Sequence, residues 1–302
     1  MTSILKTYLS TIAGIAVLAA APVAIAAETP MPATPEKKSA KLKGAQSTVD
    51  KQCSDATAAR RKKVLEEAKA AIAETEKALK ALEEKKKDDA LQSLALATGK
   101  LELILARAPA LALAPLDVAV VTHDLLAKQE TIKALIAEAK EKMNNGEIQH
   151  ARKLLAGLAS EIEYRTTSIP LATYPAAIKA ITPLIDAGRM EDAKAGLRAA
   201  LNTLVVTTEV VPLPKLRAEY LVKEAQRLAE RKDRSSKDND KLKKDLGEAR
   251  NQLKLAELLG YGKKDAYQAI YQQIDQIEKK TSGGKSGKGW FGKIKALLSD
   301  LF

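Results

Sequence analysis

The sequence predicts a mainly all-α fold of stacked antiparallel helical hairpins, with room for a short β-ribbon. One observation is a recurring spacing, in which a leucine follows an alanine by four residues and a proline follows that alanine by nineteen. An alanine and a leucine so placed share one helix face, and proline ends a helix. The copies are Ala90, Leu94 and Pro109; Ala151, Leu155 and Pro170; Ala193, Leu197 and Pro212; and Ala249 and Leu253, with Gln268 in place of the proline. A second observation is an apolar seam over residues 65–82 in steps of three and four, which is typical of a helix.

Residues 1–26 are predicted to be a secretory signal peptide. Lys6 supplies the positive charge, an apolar run follows, and Ala24 and Ala26 flank an A-x-A cleavage site. The alternative is an uncleaved membrane anchor, against which Pro22 and the small residues before Glu28 argue. We therefore expect a periplasmic protein, cleaved near Ala26.

Residues 27–60 are predicted to be a disordered basic leader, because they contain several prolines, many lysines and few large apolar residues. The formal net charge of the chain is +12. Most of it lies at the two ends, since residues 36–63 hold nine Lys or Arg against three acids and residues 279–302 hold six lysines against one acid. A nearly neutral body with few aromatic residues argues against nucleic acid as a partner.

The helical domain is predicted to cover residues 61–280. A first hairpin turns between Lys85 and Asp88, where charges of each sign suit the helix dipoles. Asn145 and Gly146 favour a turn in the second hairpin, and Gly188 favours one in the third. The remaining predicted pairs are 128–143 with 147–165, 175–188 with 190–206, and 215–231 with 240–259 across a solvated insert at 233–238, followed by a short helix at 267–280. Pro183 is expected to kink or shorten its helix.

Three segments after the predicted helices are rich in β-branched residues. They lie at 106–122, 165–171 and 207–213, and prolines close the second and third. Such residues fit strands better than helices. A small β-ribbon is therefore predicted here.

The strings GKLELILARAPALALAPLDV (99–118), PLATYPAAIKAI (170–181) and LVVTTEVVPLPKLRAEYL (204–221) resemble the YfdX family, over roughly residues 60–260. The resemblance implies a mostly α-helical, exported bacterial protein that self-associates and is linked to envelope stress such as acid or antimicrobial exposure. It implies no active-site residues. A tetratricopeptide-like array is the alternative architecture, but the unit spacings of 61, 42 and 56 residues argue against a fixed repeat.

The sequence indicates no catalytic, cofactor or metal site. His123 is interpreted as a loop or capping residue, with a pH-responsive contact as the alternative, and His150 as solvated. Cys53 is the single cysteine, so no internal disulfide forms. We interpret it as lying in a flexible segment, with pairing between chains as the alternative.

A Gly-rich linker at 281–289 precedes a predicted amphipathic helix at 290–302. One apolar stripe on this helix is predicted to contact a membrane or a partner, or to dock on the protein's own body. The stripe consists of Trp290, Phe291, Ile294, Leu297, Leu298, Leu301 and Phe302.

Two functions follow from these features. The first is a non-enzymatic envelope protein that supports stress tolerance by binding partners or a small apolar ligand. The second is a membrane-surface or scaffold protein docked through the C-terminal helix. In both, the dominance of Ala, Leu, Ile and Val in the body predicts a homo-oligomer, because each helix buries little area by itself.

Overall fold

The computed structural model describes residues 40–301, with side chains from residue 44 onward. The predicted signal peptide, residues 27–39 of the predicted leader and Phe302 lie outside this range. The helices are α1 (Ala40–Arg61), α2 (Glu66–Glu83), α3 (Lys87–Arg107), α4 (Gln129–Asn144), α5 (Ile148–Ala156), α6 (Tyr174–Asp186), α7 (Met190–Leu201), α8 (Leu213–Ala229), α9 (Ser236–Leu258), α10 (Lys264–Thr281) and α11 (Gly292–Ser299). The strands are β1 (Leu113–His123), β2 (Glu161–Pro170) and β3 (Val205–Pro212). The predicted fold class, mainly helical with a minor β component, is confirmed.

The first predicted hairpin is present as α2 and α3. The predicted seam is buried at Ala68, Ile72, Thr75 and Leu82, so the spacing of three and four marks the face of α2 that packs on α3. The predicted turns in the next two hairpins are also present. Gly146 and Gly188 close them with φ of 77° and 74°, a left-handed conformation that glycine adopts without strain.

The predicted ribbon is a three-stranded antiparallel sheet in the order β1, β2, β3. Tyr164 of β2 lies opposite Val120 of β1 and Glu209 of β3, which fixes the register. Pro170 and Pro212 end their strands, as the proline spacing indicates. The helix pairs α2–α3, α4–α5 and α6–α7 are therefore each followed in sequence by one strand of the same sheet.

Two predicted helices are shorter in the structure. The helix predicted at 147–165 ends at Ala156, and the one predicted at 190–206 ends at Leu201. In both places the residues beyond the helix enter a strand, because β-branched side chains lose rotamer freedom in a helix and pack well in a sheet. Pro183 lies inside α6, which ends three residues later at Asp186, in line with the expected shortening.

The helix pairs do not stack in chain order. The pair α2–α3 packs against α6–α7 and forms one core with them, whereas α4–α5 contacts α9. A tetratricopeptide array packs each pair on the next one in sequence, so that alternative is wrong. The repeat position Leu155 is accordingly 47% exposed, while Leu94 and Leu197 are buried.

Helix α1 corrects the predicted disordered leader over residues 40–60. Its residue Val49 is buried with Ile162, Tyr164 and Leu213, so α1 covers one face of the sheet. The Arg60 guanidinium lies 3.9 Å from the centroid of the Tyr164 ring, a cation–π contact. Composition alone missed this helix because its apolar stripe is narrow and is buried only by contact with the sheet.

A second core joins α8, α9, α10 and α11. The insert predicted to be a solvated loop at 233–238 is partly helical, because Ser235 and Asp238 form a capping box at the start of α9. Arg234 Nη2 donates to the Lys285 carbonyl at 2.6 Å, and Gly287 N–H to the Ala229 carbonyl at 3.2 Å. The predicted Gly-rich linker at 281–289 is thus hydrogen-bonded, at Lys285 and Gly287, to α8 and to the segment between α8 and α9.

Within residues 40–301, no helix is both long and apolar enough to cross a membrane. The same residues contain no cluster of three or more His, Cys, Asp or Glu side chains that could hold a metal ion.

Candidate functional site

A cavity of about 480 Å³ lies between α8, α9 and the segment that joins β1 to α4. Its polar wall includes Arg217 of α8 and Gln252 of α9, which are only 2% and 7% exposed. Buried Arg and Gln are uncommon in a helical core, because each loses hydration that internal hydrogen bonds must replace. We refer to this space as the Arg217 cavity.

Helical periodicity places both polar residues in the interior. On α8, Arg217 falls between Pro214 and Leu221, three and four residues away, so it occupies a core position. On α9, Gln252 follows Ala249 by three residues and precedes Ala256 by four. The buried stripe of α8 therefore carries one polar residue, Arg217, and that of α9 carries two, Asp245 and Gln252.

Arg217 connects three separate parts of the chain. Its Nη2 donates to Gln46 Oε1 of α1 at 2.8 Å and to Asp124 Oδ2, directly after β1, at 2.8 Å. The Arg217 Nε has no hydrogen-bond partner among the described residues. The guanidinium is therefore charge-paired on one side and retains an unused donor.

Gln252 is held in one orientation. Its Nε2 donates to Glu248 Oε1 at 3.0 Å, and its Oε1 has no hydrogen-bond partner within residues 40–301. A carboxylate only accepts hydrogen bonds, so the amide nitrogen must face Glu248. Gln252 thus has an unpaired acceptor atom and Arg217 an unpaired donor atom, both themselves buried, on two side chains that line the same cavity.

The remaining wall is partly apolar. Leu125, Leu126 and Leu255 line it together with the exposed Lys128 and Glu130. A space of this size, lined by more polar than apolar surface, suits a small molecule that combines polar groups with a smaller apolar part.

The structure places the predicted contact residues of the C-terminal helix on the protein's own body. Phe291, Ile294, Leu298 and Leu301 are at most 4% exposed and belong to the core with α8, α9 and α10. Trp290 and Leu297 are partly buried against the same core, and Phe302 lies outside the described residues. Of the arrangements left open by the sequence, the structure shows intramolecular docking, because the body offers this stripe an apolar surface within reach.

A second groove, of about 510 Å³, separates α11 from α8. Val222 and Leu298 lie among its lining residues, beside charged residues that include Glu219 and Lys295. Burial raises the pKa of the Glu219 carboxyl above its ordinary value, and Lys215 offsets part of this rise. Both spaces are lined by charges of each sign, and this groove is the more apolar of the two; the Arg217 cavity differs in having the largely buried polar side chains Arg217 and Gln252 in its wall.

The histidines and the cysteine lie elsewhere. His123 ends β1, with Nε2 3.6 Å from Glu163, so it is a strand residue instead of the predicted loop or capping residue. His150 is exposed and its Nδ1 lies 3.0 Å from Glu147 Oε2. Cys53 lies on α1 and packs against the sheet cluster, which corrects its predicted place in a flexible segment.

Sequence reasoning did not identify Arg217 or Gln252. The string that contains Arg217 served only as part of the family resemblance. A usable signal was present, since each residue interrupts the apolar stripe of a helix at a core position. Their convergence on one cavity depends on the packing of α8 against α9.

These features define a class of protein: a mainly helical protein whose first three helix pairs each feed one strand of a small antiparallel sheet, with a polar cavity beside it. Residues 71–210 match a family model described as YfdX protein, which confirms the resemblance over that range. Arg217 and Gln252 lie beyond the matched residues. A solved structure of Salmonella Typhi YfdX matches with 17% identity and a TM-score of 0.35, covering 50% of this chain and 93% of that one. No curated protein matches the chain.

Proposed function

We propose that this protein is a non-enzymatic, exported protein of the bacterial cell envelope that supports stress tolerance by binding a small molecule in the Arg217 cavity. The observation that carries the proposal is a cavity of about 480 Å³ lined by three leucines and by two largely buried polar side chains, Arg217 and Gln252. A concave space with a few fixed polar groups is the usual form of a small-molecule site.

The paired charges favour binding over catalysis. Asp124 and Glu248, the carboxylates next to these two side chains, already accept hydrogen bonds from Arg217 and Gln252. Groups held in this way fix the shape of the cavity and are poorly placed to exchange protons with a substrate.

Ligand-induced thermal shifts test the binding function. The full processed chain is heated with a panel of small molecules of varied charge, and we expect some to raise the melting temperature. Leu126→Trp should abolish the shift by filling the cavity. Leu155→Trp is the matched control, because Leu155 is exposed on α5 and lies outside the cavity. Shifts that survive Leu126→Trp would place binding elsewhere.

Export and stress tolerance need tests in cells. We expect cell fractionation to recover the protein from the periplasm, with a mature N-terminus close to residue 27. A strain that lacks the protein should survive envelope stress poorly and should be rescued by the wild-type chain but not by Leu126→Trp. Recovery of the unprocessed chain in the cytoplasm would contradict the export proposal.

A further inference from the structure

We propose that a cleft between α4 and α9 binds an anionic amphiphile, a molecule with one acidic head group on an aliphatic chain. The cleft has a volume of about 610 Å³ and lies beside the Arg217 cavity, with Gln129 lining both spaces. The inference does not depend on the proposed function, because it rests on other residues. We refer to this space as the α4–α9 cleft. Its walls include Lys133, Ile136 and Lys140 of α4, Lys254 and Leu258 of α9, and Lys264 of α10.

Helical spacing brings the charged and the apolar wall residues side by side. On α4, Lys133, Ile136 and Lys140 follow one another by three and four residues, so they share one face of the helix. On α9, Leu258 follows Lys254 by four residues. The four lysines are exposed, whereas Ile136 and Leu258 are partly buried. A molecule in the cleft can therefore reach the lysines from solvent and contact aliphatic side chains at the same time.

The lysines give the cleft a positive charge. Four lysines line it against one acid, Glu257, so the net charge of its walls is +3. Glu257 Oε2 accepts a hydrogen bond from the Tyr271 hydroxyl at 2.8 Å. Within residues 44–301 none of the four lysines forms an ion pair, whereas Lys142, further along α4, pairs with Glu147 at 3.2 Å. A concave surface with mainly one sign of charge and apolar walls concentrates the potential, so it attracts an anion and repels a cation.

Helix ends add a smaller contribution of the same sign. Gln129 and Lys264 are the first residues of α4 and α10, and in neither helix does the N-cap side chain accept a hydrogen bond. The amide groups at a helix N-terminus carry partial positive charge. The end of α9, at Leu258, opposes them with partial negative charge. Two positive ends against one negative end therefore reinforce the preference for an anion.

The aliphatic chain of the ligand is inferred from the rest of the wall. The cleft is lined by more apolar than polar surface, and this surface includes Ile136 and Leu258. Lysine side chains add to it, because their methylene groups lie along apolar surface while the ammonium group stays in water. Burial of an aliphatic chain there is favourable in proportion to the apolar area removed from water. Because the space is concave and lies between helices, a free molecule fits it better than the flat surface of a membrane does.

Four probes separate the charge of the head group from the chain. Octanoate is an anion, octylammonium is a cation and octyl glucoside is uncharged, and all three carry an aliphatic chain of similar length; acetate is an anion without that chain. Each probe is titrated into the full processed chain by isothermal titration calorimetry, at concentrations at which the probe is monomeric. We expect saturable binding of octanoate that is at least about tenfold tighter than that of the other three probes. Raising the salt concentration should weaken the binding of octanoate, because salt screens charges on exposed lysines.

A matched pair of double variants tests the residue assignment. Lys133→Gln combined with Lys254→Gln removes one charge from each wall and should weaken octanoate binding by about tenfold, because two attractive charges are lost. Lys100→Gln combined with Lys293→Gln removes the same charge from exposed lysines outside the cleft and should change the affinity by less than about twofold. Leu126→Trp fills the Arg217 cavity and should leave octanoate binding unchanged. Melting temperatures close to wild type establish that the variants fold.

Several results would overturn this proposal. Octanoate that does not bind saturably would do so, as would octylammonium, octyl glucoside or acetate that binds as tightly as octanoate. Equal octanoate affinity of the two double variants would show that the α4–α9 cleft is not the site. Loss of octanoate binding in Leu126→Trp would place the ligand in the Arg217 cavity instead.

Vesicles of phosphatidylglycerol and phosphatidylcholine test the membrane as the source of the anion. We expect that the protein binds octanoate and does not sediment with these vesicles through the lysines of the cleft. Sedimentation that is lost in the Lys133→Gln and Lys254→Gln double variant, without binding of monomeric octanoate, would show that the lysines contact a lipid surface, and the proposal of a free ligand would be wrong.

Discussion

Arg217 is a charged side chain on a helix face that otherwise buries apolar residues. It joins α8 to Gln46 and Asp124, so one guanidinium links α1, α8 and the segment after β1. A buried ion pair adds little net stability, but loss of one partner leaves the other without compensation. The main effect of the Arg217 contacts is therefore to fix the positions of α1, α8 and the segment after β1 relative to one another. Their net contribution to the free energy of unfolding is small.

The first prediction concerns this pair. Arg217→Ala should lower the free energy of unfolding by about 3–5 kcal/mol, because it removes a buried cation that lies 2.8 Å from the largely buried Asp124 carboxylate. Urea denaturation measures the change. Lys179→Ala is the control, since its ion pair with Glu102 is exposed and should contribute less than about 1 kcal/mol. Equal losses from the two substitutions would show that Asp124 is hydrated in solution.

The second prediction concerns Glu219 and pH. Burial raises the pKa of this carboxyl above 4.5, its ordinary value. At pH values between the pKa of Glu219 in the unfolded state and its higher pKa in the native state, the native state binds more protons than the unfolded state. The Glu219 carboxyl therefore makes the free energy of unfolding decrease as the pH rises through that interval. Glu219→Gln should therefore raise the melting temperature at neutral pH and change it little below about pH 4.

Thermal scans across pH check this result. Glu138→Gln on α4 is the control, because Glu138 is exposed and should show no such difference. A Glu219→Gln variant that melts below wild type at neutral pH would mean that the interaction with Lys215, 3.9 Å away, outweighs burial.

At the scale of elements, α11 is a short helix of eight residues whose apolar side faces α8 and α10. A helix of this length is unstable alone in water. Its stability therefore depends on the core it joins. Lipid or partner contact by the same stripe stays a prediction, and it requires α11 to leave this core.

The third prediction tests the docking of α11. Ile294→Ala should destabilise the protein by about 2–5 kcal/mol, because it opens a cavity in the core at a residue that is 0% exposed. Lys293→Ala, on the exposed side, should change stability by less than about 0.5 kcal/mol. Urea denaturation measures both.

Anionic vesicles decide between docking and lipid contact. If Ile294→Ala costs no more than Lys293→Ala, α11 is undocked in solution, and the wild-type chain should then bind vesicles. If α11 is docked, we expect that adding vesicles changes neither the helix content of the protein nor its diffusion.

At the scale of the whole molecule, large apolar residues remain exposed on β3, on the α4–α5 pair and, at Leu96 and Leu103, on α3. Val206 and Val210 of β3 are 57% and 45% exposed and share one face of the sheet, opposite to the face that α1 covers. Met143, Ile148 and Leu155 are also about half exposed on the α4–α5 pair. Apolar patches of this kind mark candidate interfaces.

The fourth prediction is self-association through the β3 face. Light scattering of the full processed chain should give more than one chain per particle at micromolar concentration. Val210→Lys should shift the particles towards monomers, because a lysine on that face cannot be buried without a partner. Thr207→Lys places the same charge on the other face of β3 and should have little effect.

The results of these variants separate three arrangements. A monomeric wild-type chain would contradict self-association. If Val210→Lys and Thr207→Lys act equally, chains associate through the strand edge, which has no neighbouring strand among the described residues. If neither acts, the exposed residues of α4 and α5 become the better candidate for the interface.

Local patterns in the sequence determined most of the elements. The seam at 65–82, the glycine turns at 146 and 188 and the strand prolines were predictable, because helical period, left-handed turns and the missing proline N–H act over a few residues. The family resemblance was likewise readable from three short strings. The predicted ends of α5 and α7 were wrong, since the β-branched residues beyond Ala156 and Leu201 take a strand conformation that the sheet stabilises.

Tertiary structure alone decided the rest. Helix α1 is stable because the sheet buries its narrow stripe, and α11 docks because α8, α9 and α10 together provide an apolar surface. The packing of α2–α3 on α6–α7 left Leu155 exposed despite its repeat position. Arg217, Asp124 and Gln252 are far apart in sequence, and their convergence depends on long-range packing, which local spacing does not encode.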